Sequence, residues 1–373
     1  MGTIYTALGL MSGTSMDGVD ASIIQTDGKQ EYKAILDKYF QYPKNIYKNL
    51  TSLRDKIKSS KDLKKHQKQI KSVEKEITIF HAKAVFEVLK KTKKKIEFIS
   101  FHGQTIFHNA EEKITKQLGD GKLLSKLTKK KVVYDFRQND LKNGGQGAPL
   151  TPIFHKLLAK KLNFKSVTFI NIGGIINETS IFDDGSLYAH DLGPGMCLVD
   201  KWIRKNSKKR YDDKGNIAKS GKINKKIFDK AVKNWMLTAE TKLRKSLDTR
   251  EMELYFDDSS LKKLNIEDGA ATLTAFTVES LASILPSILD RHPPYHRFIL
   301  CGGGRKNNFL FKSIDDVIGA TELIDDYGVD GDYVESQAFA YLAIRSFLKL
   351  PISFPETTGC KKPCTGGVLV KNY

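Results

Sequence analysis

The chain of 373 residues is longer than one core of ordinary size, so we expect two domains. With 40% hydrophobic and 28% charged residues, its composition excludes a disordered or fibrous protein. The formal net charge of +19 would suit a nucleic-acid partner. The excess, however, is mostly lysine spread along predicted helix faces, without an aromatic-studded motif, so we interpret it as a solvated surface and do not expect nucleic-acid binding.

The chain start and the cysteines indicate the compartment. The first ten residues lack the basic start and long apolar core of a signal peptide, and the apolar stretches are too short to span a bilayer. The cysteines (Cys197, Cys301, Cys360 and Cys364) have no cluster of further ligands to complete a zinc site. We therefore expect a soluble cytoplasmic protein with reduced thiols and no membrane association.

In chain order, the first half reads as a strand hairpin, a helical region and two further strands. Apolar residues at 4–10 and 19–25 flank a Gly/Ser/Thr turn, which predicts a hairpin. Residues 45–94 show helical spacing, and a strand signal at 96–101 ends in polar residues, where α/β sheets place ligand sites. A strand at 132–136 then leads through a glycine-rich loop to a helix at 153–162.

The second half repeats this opening. A strand at 167–172, a glycine turn and a strand at 178–182 form another hairpin, which predicts two similar α/β lobes facing one another. We expect the first lobe at 1–134, joined by the tail at 355–373. The second lobe is expected at 135–354.

Three glycine turns are candidates for binding phosphate and a nucleotide base. They lie at 9–20, 171–177 and 300–307; glycines let backbone N–H groups approach phosphate, and Ser12, Thr14 and Ser15 add hydroxyl donors. None is a Walker A loop, and for the first turn alone a plain hairpin turn with capping hydroxyls is the alternative. The predicted ATP contacts are Gly13, Thr14, Ser15, Met16, Asp17, Gly18, Val19, Asp20, Asn171, Gly173, Gly174, Asn177, Gly302, Gly303, Gly304 and Asn307.

These turns belong to a longer set of matching segments. Together with residues 101–105, the Gly-Gly-Gln-Gly-Ala-Pro string at 144–149, 190–195 and 335–343, they resemble the anhydro-N-acetylmuramic acid kinase family from end to end. That family belongs to the actin, hexokinase and Hsp70 ATPase superfamily. The resemblance implies two ribonuclease H-like α/β lobes around a central nucleotide and sugar cleft, ATP and Mg²⁺ as cofactors, and a homodimer.

The resemblance also implies a reaction and its catalytic residues. ATP and water convert 1,6-anhydro-N-acetylmuramate to N-acetylmuramate 6-phosphate, in peptidoglycan recycling and amino-sugar catabolism. Asp191 matches the family's general base and Glu335 its second carboxylate. The alternatives are that Asp191 caps the following Gly-Pro-Gly turn and that Glu335 is a first-turn acid favoured by a helix dipole.

For the sugar, we expect contacts from His102, Gln104, Arg137 and Asp140, and from the turn glycines Gly193 and Gly195. Arg137 could pair with the lactyl carboxylate of the muramate; the alternative, which does not exclude the first, is an ion pair with Asp140 across a turn. Asp17 and Asp20 are candidates to hold Mg²⁺ through its waters, although an Asp beside a glycine turn is often only a turn residue.

Two departures from the family pattern put ligand contacts in doubt: Met196 stands where Asn commonly follows Gly-Pro-Gly, and residues 245–255 match only loosely. Another sugar kinase of the superfamily, such as an N-acetylglucosamine kinase, is the first alternative function. It would keep the glycine turns but lack the string at 144–149. An ATP-gated binding protein is the second; a chaperone of that kind would need a peptide-binding domain after the ATPase core.

Overall fold

The computed structural model describes residues 2–238, 245–289, 293 and 295–373. The chain divides into two compact units, the first formed by Met1–Leu158 with Tyr333–Tyr373 and the second by Ala159–Asp332. Among the described residues, no helix combines the length and apolarity needed to cross a membrane.

The first unit is built on a mixed sheet of seven strands in the described part of the chain. The strands run in the order β12-β6-β4-β1-β2-β3, with β5 paired to β4. The hairpins β1/β2 and β2/β3 are antiparallel, whereas β1/β4 and β4/β6 are parallel. Their bounds are β1 Tyr5–Ser12, β2 Gly18–Thr26, β3 Tyr32–Gln41, β4 Phe98–Asn109, β5 Ile114–Leu118, β6 Lys131–Tyr134 and β12 Val368–Val370.

Three helices of this unit occupy the region at 45–94 that the apolar spacing predicts to be helical. The helices of the unit are α1 Lys44–Lys56, α2 Ser60–Lys65, α3 Gln67–Leu89, α4 Gly121–Thr128, α5 Gln138–Lys142, α14 Val334–Phe347 and α15 Pro355–Thr358, with α6 Pro152–Lys161 crossing the unit boundary. Along α3, Ile70, Val73, Ile77 and Val88 are buried on one face and belong to a core shared with β1 and β2.

The second unit repeats the sheet topology of the first. Its order is β11-β10-β7-β8-β9, again with two antiparallel hairpins (β7/β8 and β8/β9) and two parallel pairs (β7/β10 and β10/β11). The bounds are β7 Val167–Ile172, β8 Ile175–Ile181, β9 Leu187–Pro194, β10 Arg297–Cys301 and β11 Thr321–Leu323. The predicted hairpins in both halves, and the predicted α/β class, are confirmed.

Most helices of the second unit lie between β9 and β10. They are α7 Cys197–Asn206, α8 Asn216–Ser220, α9 Lys225–Met236, α10 Thr249–Glu253, α11 Asp258–Leu261 and α12 Ile266–Leu289, and α13 Asn308–Ile318 follows β10. Their apolar faces form one core with Ile170 and Ile172 of the sheet, around the buried side chains of Trp202, Trp235 and Phe276.

The unit boundaries differ from those expected at 134/135 and 354/355. Helix α14 packs against β1, β2 and β4, so the segment that we expected in the second lobe lies in the first unit. Backbone bonds from Gln146 N to Thr358 O (2.8 Å) and from Lys361 N to Asn143 O (3.1 Å) likewise join the glycine-rich loop to the tail. The sequence shows where helices occur but not which sheet they cover.

Candidate functional site

The first glycine turn connects β1 to β2. Gln104 Nε2 donates to Gly13 O (2.9 Å), Met16 N donates to the same oxygen (3.2 Å), and Met16 has a φ of 58°. Thr14 and Ser15 are exposed, and a Cβ built on Gly13 would approach nothing more closely than Ser15 Oγ at 3.9 Å. The backbone of residues 13–15 is therefore open to a ligand.

Three other predicted contacts in this segment are packed inside the unit. Met16 and Val19 are buried in the core, at 2% and 0% exposure. A Cβ on Gly18 would lie 2.5 Å from Phe40 O, so this glycine is required for close contact with β3. Their contact with ATP stays a prediction and would involve backbone atoms.

The two aspartates of the segment are half-buried. Ser15 Oγ donates to Asp17 Oδ1 (2.5 Å), and Asp20 lies opposite Met11 in the β1/β2 hairpin. No group of three or more His, Cys, Asp or Glu side chains suited to a metal ion occurs among the described residues. Mg²⁺ usually takes one or two carboxylates and completes its shell with waters and substrate phosphates, so the roles of Asp17 and Asp20 stay a prediction.

The buried side chain of His102 pairs with the half-buried Arg137. Because a carbonyl only accepts, the contact between His102 Nδ1 and Gly103 O (2.8 Å) assigns the proton to Nδ1, and Nε2 accepts from Arg137 Nε (3.2 Å) and Nη2 (3.0 Å). Burial, reinforced by the positive charge of Arg137, holds the pKa of His102 well below its usual value. His102 is therefore a neutral acceptor that orients the guanidinium, whose Nη1 donates to Gly147 O (2.8 Å).

Asp140 organises the glycine-rich loop. Its Oδ2 accepts from Gly147 N (2.6 Å) and its Oδ1 from Thr358 Oγ1 (2.6 Å), and only 1% of the residue is exposed. A Cβ on Gly145 would lie 2.2 Å from the same carboxylate. These contacts give Asp140 and Gly145 a structural role in the loop. A direct contact of Asp140 with the sugar stays a prediction.

Gln104 is a buried amide that contacts the first glycine turn. Its Nε2 bonds to Gly13 O, whereas Oε1 is fully buried and has no hydrogen-bond partner among the described residues. A buried acceptor without a donor costs about 1–3 kcal/mol, so this oxygen is suited to accept from a bound hydroxyl group or water.

In the second unit, a polar row crosses the sheet. Asn171 on β7 pairs with Asn177 on β8, and Asn177 pairs with Asp191 on β9. Residues directly opposite each other on antiparallel strands lie on the same face, so the three side chains share one face at the end of the hairpin. Asp191 is 8% exposed, and its Oδ2 accepts from Leu247 N (2.8 Å).

The second glycine turn packs against the Gly-Pro-Gly segment. Gly195 N donates to Gly174 O (2.9 Å), and Met196 N donates to Gly173 O (2.9 Å). A Cβ on Gly195 would lie 2.3 Å from Gly173 O, whereas one on Gly173 would meet nothing closer than 3.5 Å. Gly195 and Gly193, which has a φ of 145°, are thus required by local structure. Gly173 has space beside its Cα, although its N–H donates to Ile175 O (3.3 Å).

At both departures from the family pattern, a main-chain N–H group donates a hydrogen bond within the candidate site. Met196 bonds through its main-chain N–H, which any residue except proline can supply. The divergent segment at 245–255 supplies the Leu247 N–H that holds Asp191. This contact joins residues 56 positions apart in the chain, and no local pattern in the sequence signals it.

Of the glycines in the third turn, Gly303 is the open one. A Cβ on Gly302 would lie 2.4 Å from Asn171 Oδ1 and one on Gly304 would lie 2.2 Å from Ile172 Cγ2, but nothing lies within 4 Å of one on Gly303. Asn307 caps α13, with Oδ1 accepting from Leu310 N (3.0 Å), and its Nδ2 is a buried donor without a partner among the described residues.

Two features beside this turn were missed from the sequence. A cavity of about 530 Å³ adjoins α8 and α13, lined by Lys214, Asn216, Lys219, Asn308, Phe309, Lys312, Ser313 and Asp316. Lys214 and Lys219 belong to the lysine excess that we expect to be a solvated surface, so the lysine pattern did not indicate this cavity. Arg305, 4% exposed, bonds to Gly302 O (3.0 Å) and to the carboxylates of Asp325, Asp330 and Asp332.

Glu335 lies in the first turn of α14, in the first unit, and is half-buried. A carboxylate there interacts favourably with the helix dipole, as the alternative interpretation expected. The residues that follow it, Ser336 and Gln337, are fully buried. The other catalytic candidate, Asp191, lies on β9 of the second unit.

Comparison with known proteins decides the family. Residues 5–372 match the profile described as AnmK: Anhydro-N-acetylmuramic acid kinase. The chain belongs to the anhydro-N-acetylmuramic acid kinase family. It is 51% identical to a protein of that name from Pelagibacter ubique (strain HTCC1062) and 37% identical to one from Brucella canis (strain ATCC 23365 / NCTC 10854 / RM-666), with 100% of both chains covered in each comparison.

Among solved structures, the chain is similar to component A of the (R)-2-hydroxyglutaryl-CoA dehydratase of Acidaminococcus fermentans. The identity is 12% and the TM-score 0.43, over 92% of this chain and 100% of that one.

Proposed function

We propose that this family member converts 1,6-anhydro-N-acetylmuramate, ATP and water to N-acetylmuramate 6-phosphate and ADP, a step of peptidoglycan recycling. The observation that carries the proposal is the full-length family match at 51% identity. The polar groups beside the open glycine turns supply the chemistry that this reaction requires.

Asp191 is the general base in this proposal. A water attacks the anomeric carbon, Asp191 accepts its proton, and the bond from that carbon to the bridging oxygen breaks. The bond from Leu247 N to Oδ2 holds the carboxylate in one orientation, and its low exposure limits competing solvent contacts. Glu335 would hold the same water or the anomeric side of the sugar.

The released bridge oxygen, O6, becomes the nucleophile for phosphoryl transfer. It attacks the γ-phosphorus of ATP, the bond to the β-phosphate oxygen breaks, and ADP leaves. The open backbone at residues 13–15 would donate to the phosphate oxygens, and the space beside Gly173 would let a phosphate approach the second turn. Mg²⁺, when bound, neutralises phosphate charge, and Asp17 and Asp20 would hold it through its waters.

The sugar and the base have separate candidate contacts. Arg137, oriented by neutral His102, would pair with the lactyl carboxylate, and Gln104 Oε1 would accept from a hydroxyl group. The adenine would lie by Gly303 and the cavity beside α13, where the amides of Asn216 and Asn308 can both donate and accept. The homodimer stays a prediction, which sedimentation velocity would test.

Sugar-dependent ADP release tests the proposal. Purified protein with Mg-ATP should turn over with 1,6-anhydro-N-acetylmuramate, and Asp191→Asn should lower kcat about 10³-fold, because a positioned base contributes 10²–10⁴-fold. Asp184→Asn is the matched control, since Asp184 is an exposed residue of the β8–β9 turn, and we expect it to keep wild-type kcat. Turnover with N-acetylglucosamine but not with the anhydro sugar would contradict the substrate while keeping the kinase.

A further inference from the structure

A second transverse row, in the first unit, contacts the helix that carries Glu335. Gly9 on β1 pairs with Ser22 on β2, and Ser22 pairs with Asp37 on β3. As direct neighbours on antiparallel strands, the three residues share one face of the sheet. We call them the α14-contact row.

Gly9 allows the backbone of α14 to touch the sheet. A Cβ on Gly9 would lie 1.9 Å from Ser336 O and 3.0 Å from Ala340 N. No side chain larger than hydrogen fits at this distance, so Gly9 is a packing residue, although the sequence groups it with the first phosphate turn.

The other two members of the row hold side chains of the same helical turn. Ser22 Oγ lies 2.6 Å from Ser336 Oγ and donates to Asp37 Oδ1 (2.5 Å). Gln337 Nε2 donates to both oxygens of Asp37 (3.1 and 3.0 Å), and Gln337 Oε1 accepts from Tyr32 OH (2.5 Å).

These bonds fix both the position and the rotation of the helix end. Successive residues of an α-helix are rotated by about 100°, so bonds to Ser336 and Gln337 hold the first turn from two directions. Glu335 directly precedes them, and its Cα–Cβ direction is set once the turn cannot rotate. Asp37 accepts hydrogen bonds from Ser22 on the sheet and from Gln337 on the helix.

We propose that Asp37, acting through Gln337, is a positioning residue for the Glu335 carboxylate. The inference rests on the proposed function, in which Glu335 acts at the reacting centre. Asp37 contacts neither substrate in this proposal; it fixes the helix turn from which Glu335 extends. Displacing a catalytic group by about 1 Å can cost about 100-fold in rate, so a loosened turn should be visible in kcat.

A double-mutant cycle between Asp37 and Glu335 tests this. We expect Asp37→Asn to lower kcat about 10-fold and leave the KM for ATP unchanged. In a Glu335→Gln background, which has already lost the carboxylate, the same substitution should lower kcat no further. Gln337→Ala breaks the same contact from the helix side and should behave alike, which keeps the test available if Asp37→Asn folds poorly.

Asp27→Asn is the matched control. Asp27 lies in the turn of the same β2–β3 hairpin, where its Oδ1 accepts from the N–H groups of Lys29, Gln30 and Glu31. This substitution should lower the thermal midpoint while keeping kcat.

The outcomes separate the inference from the proposed function. Losses of kcat that multiply in the double variant would overturn positioning, since they would mean that Asp37 acts independently of Glu335. Unchanged kcat in Asp37→Asn and Gln337→Ala would also overturn it. If Glu335→Gln alone keeps full activity, the role of Glu335 fails first and the positioning role fails with it.

Discussion

The two sheets share one topology, and the same position in each carries different chemistry. In the second unit, the row at the end of the first hairpin is Asn171, Asn177 and Asp191. In the first unit, the corresponding row, one residue before the end of β1, is Met11, Asp20 and Tyr39. Asp20 and Asn177 are each the third residue of their strand.

The rows differ most on their third strand. Asp191 is 8% exposed and held by a backbone N–H, whereas Tyr39 is 41% exposed. In the proposed function, the repeated scaffold supplies one glycine turn per unit for phosphate, while the buried carboxylate proposed as the base lies in one copy. In the first unit, the catalytic candidate Glu335 lies instead on helix α14, which packs against the α14-contact row of the sheet.

The largest effect on stability should come from the buried arginine of the second unit. Replacing Arg305 by Met leaves the carboxylate of Asp325 without this cation and leaves Asp332 with Lys306 alone. Because solvent reaches both carboxylates, we expect a loss of stability below the ~3–5 kcal/mol of a fully buried pair. Because Arg305 also bonds to Gly302 O, we expect Arg305→Met to raise the KM for ATP about 10-fold. Urea unfolding and ATP titration of the initial rate measure the two effects.

The buried arginine of the first unit is the control. Arg345 donates to the carbonyls of Gly28 and Pro351, and Arg345→Met should destabilise less and leave the KM for ATP unchanged. Equal changes in stability and in the KM for ATP in the two variants would contradict this difference between the units.

The next effect distinguishes packed from open glycines. Gly9→Ala places a Cβ 1.9 Å from Ser336 O and should lower the free energy of unfolding by about 1–3 kcal/mol. Gly303→Ala meets nothing within 4 Å, so we expect less than about 0.5 kcal/mol and a raised KM for ATP. A stable Gly9→Ala protein with wild-type kcat would contradict the close contact with α14.

Acid should destabilise the first unit through its buried histidines. Burial lowers the pKa of His81 to about 4 and that of His155 to about 3. The unfolded chain binds protons below about pH 6.5 while these folded residues stay neutral, so stability falls as the pH drops from 6.5 towards 4. For His81 the loss is about 2 kcal/mol between pH 7 and pH 5.

His81→Gln should flatten this pH dependence, whatever its effect at pH 7. Urea unfolding at several pH values measures the slope. An unchanged slope would show that His81 binds its proton equally well in the folded and unfolded states.

The smallest effect should come from Tyr39, which occupies the position of Asp191 in the first sheet. Because its side chain is largely exposed, we expect Tyr39→Phe to change kcat by less than twofold and stability by less than about 0.5 kcal/mol. Steady-state rates with both substrates check this. A large loss of kcat would mean that both rows take part in catalysis.

The sequence predicted the hairpins and the glycine turns because each depends on local residues. Apolar runs bounded by turn glycines predict the strands and turns around Gly13 and Gly173 without further information. Helix α14 was harder to assign, because a helix pattern does not tell which sheet covers its apolar face. That ambiguity explains why the expected boundary at 354/355 differs from Asp332/Tyr333.

The candidate site was predictable where a residue type is tied to a motif. Gly9 and Gly18 were both grouped with the phosphate turn, and only the contacts of a Cβ with Ser336 O and Phe40 O separate them from the open Gly13. The carboxylate partners of Arg305 and the Leu247 N–H are distant in the chain, so spacing gave no sign of them.

Product mass spectrometry tests the central claim most directly. After incubation with Mg-ATP and 1,6-anhydro-N-acetylmuramate, we expect a product heavier than the sugar by one water and one phosphoryl group, formed one for one with ADP. Asp191→Asn should form it about 10³-fold more slowly. A product that gains the phosphoryl group alone, with the bridge intact, or ADP released without any sugar product, would contradict the account.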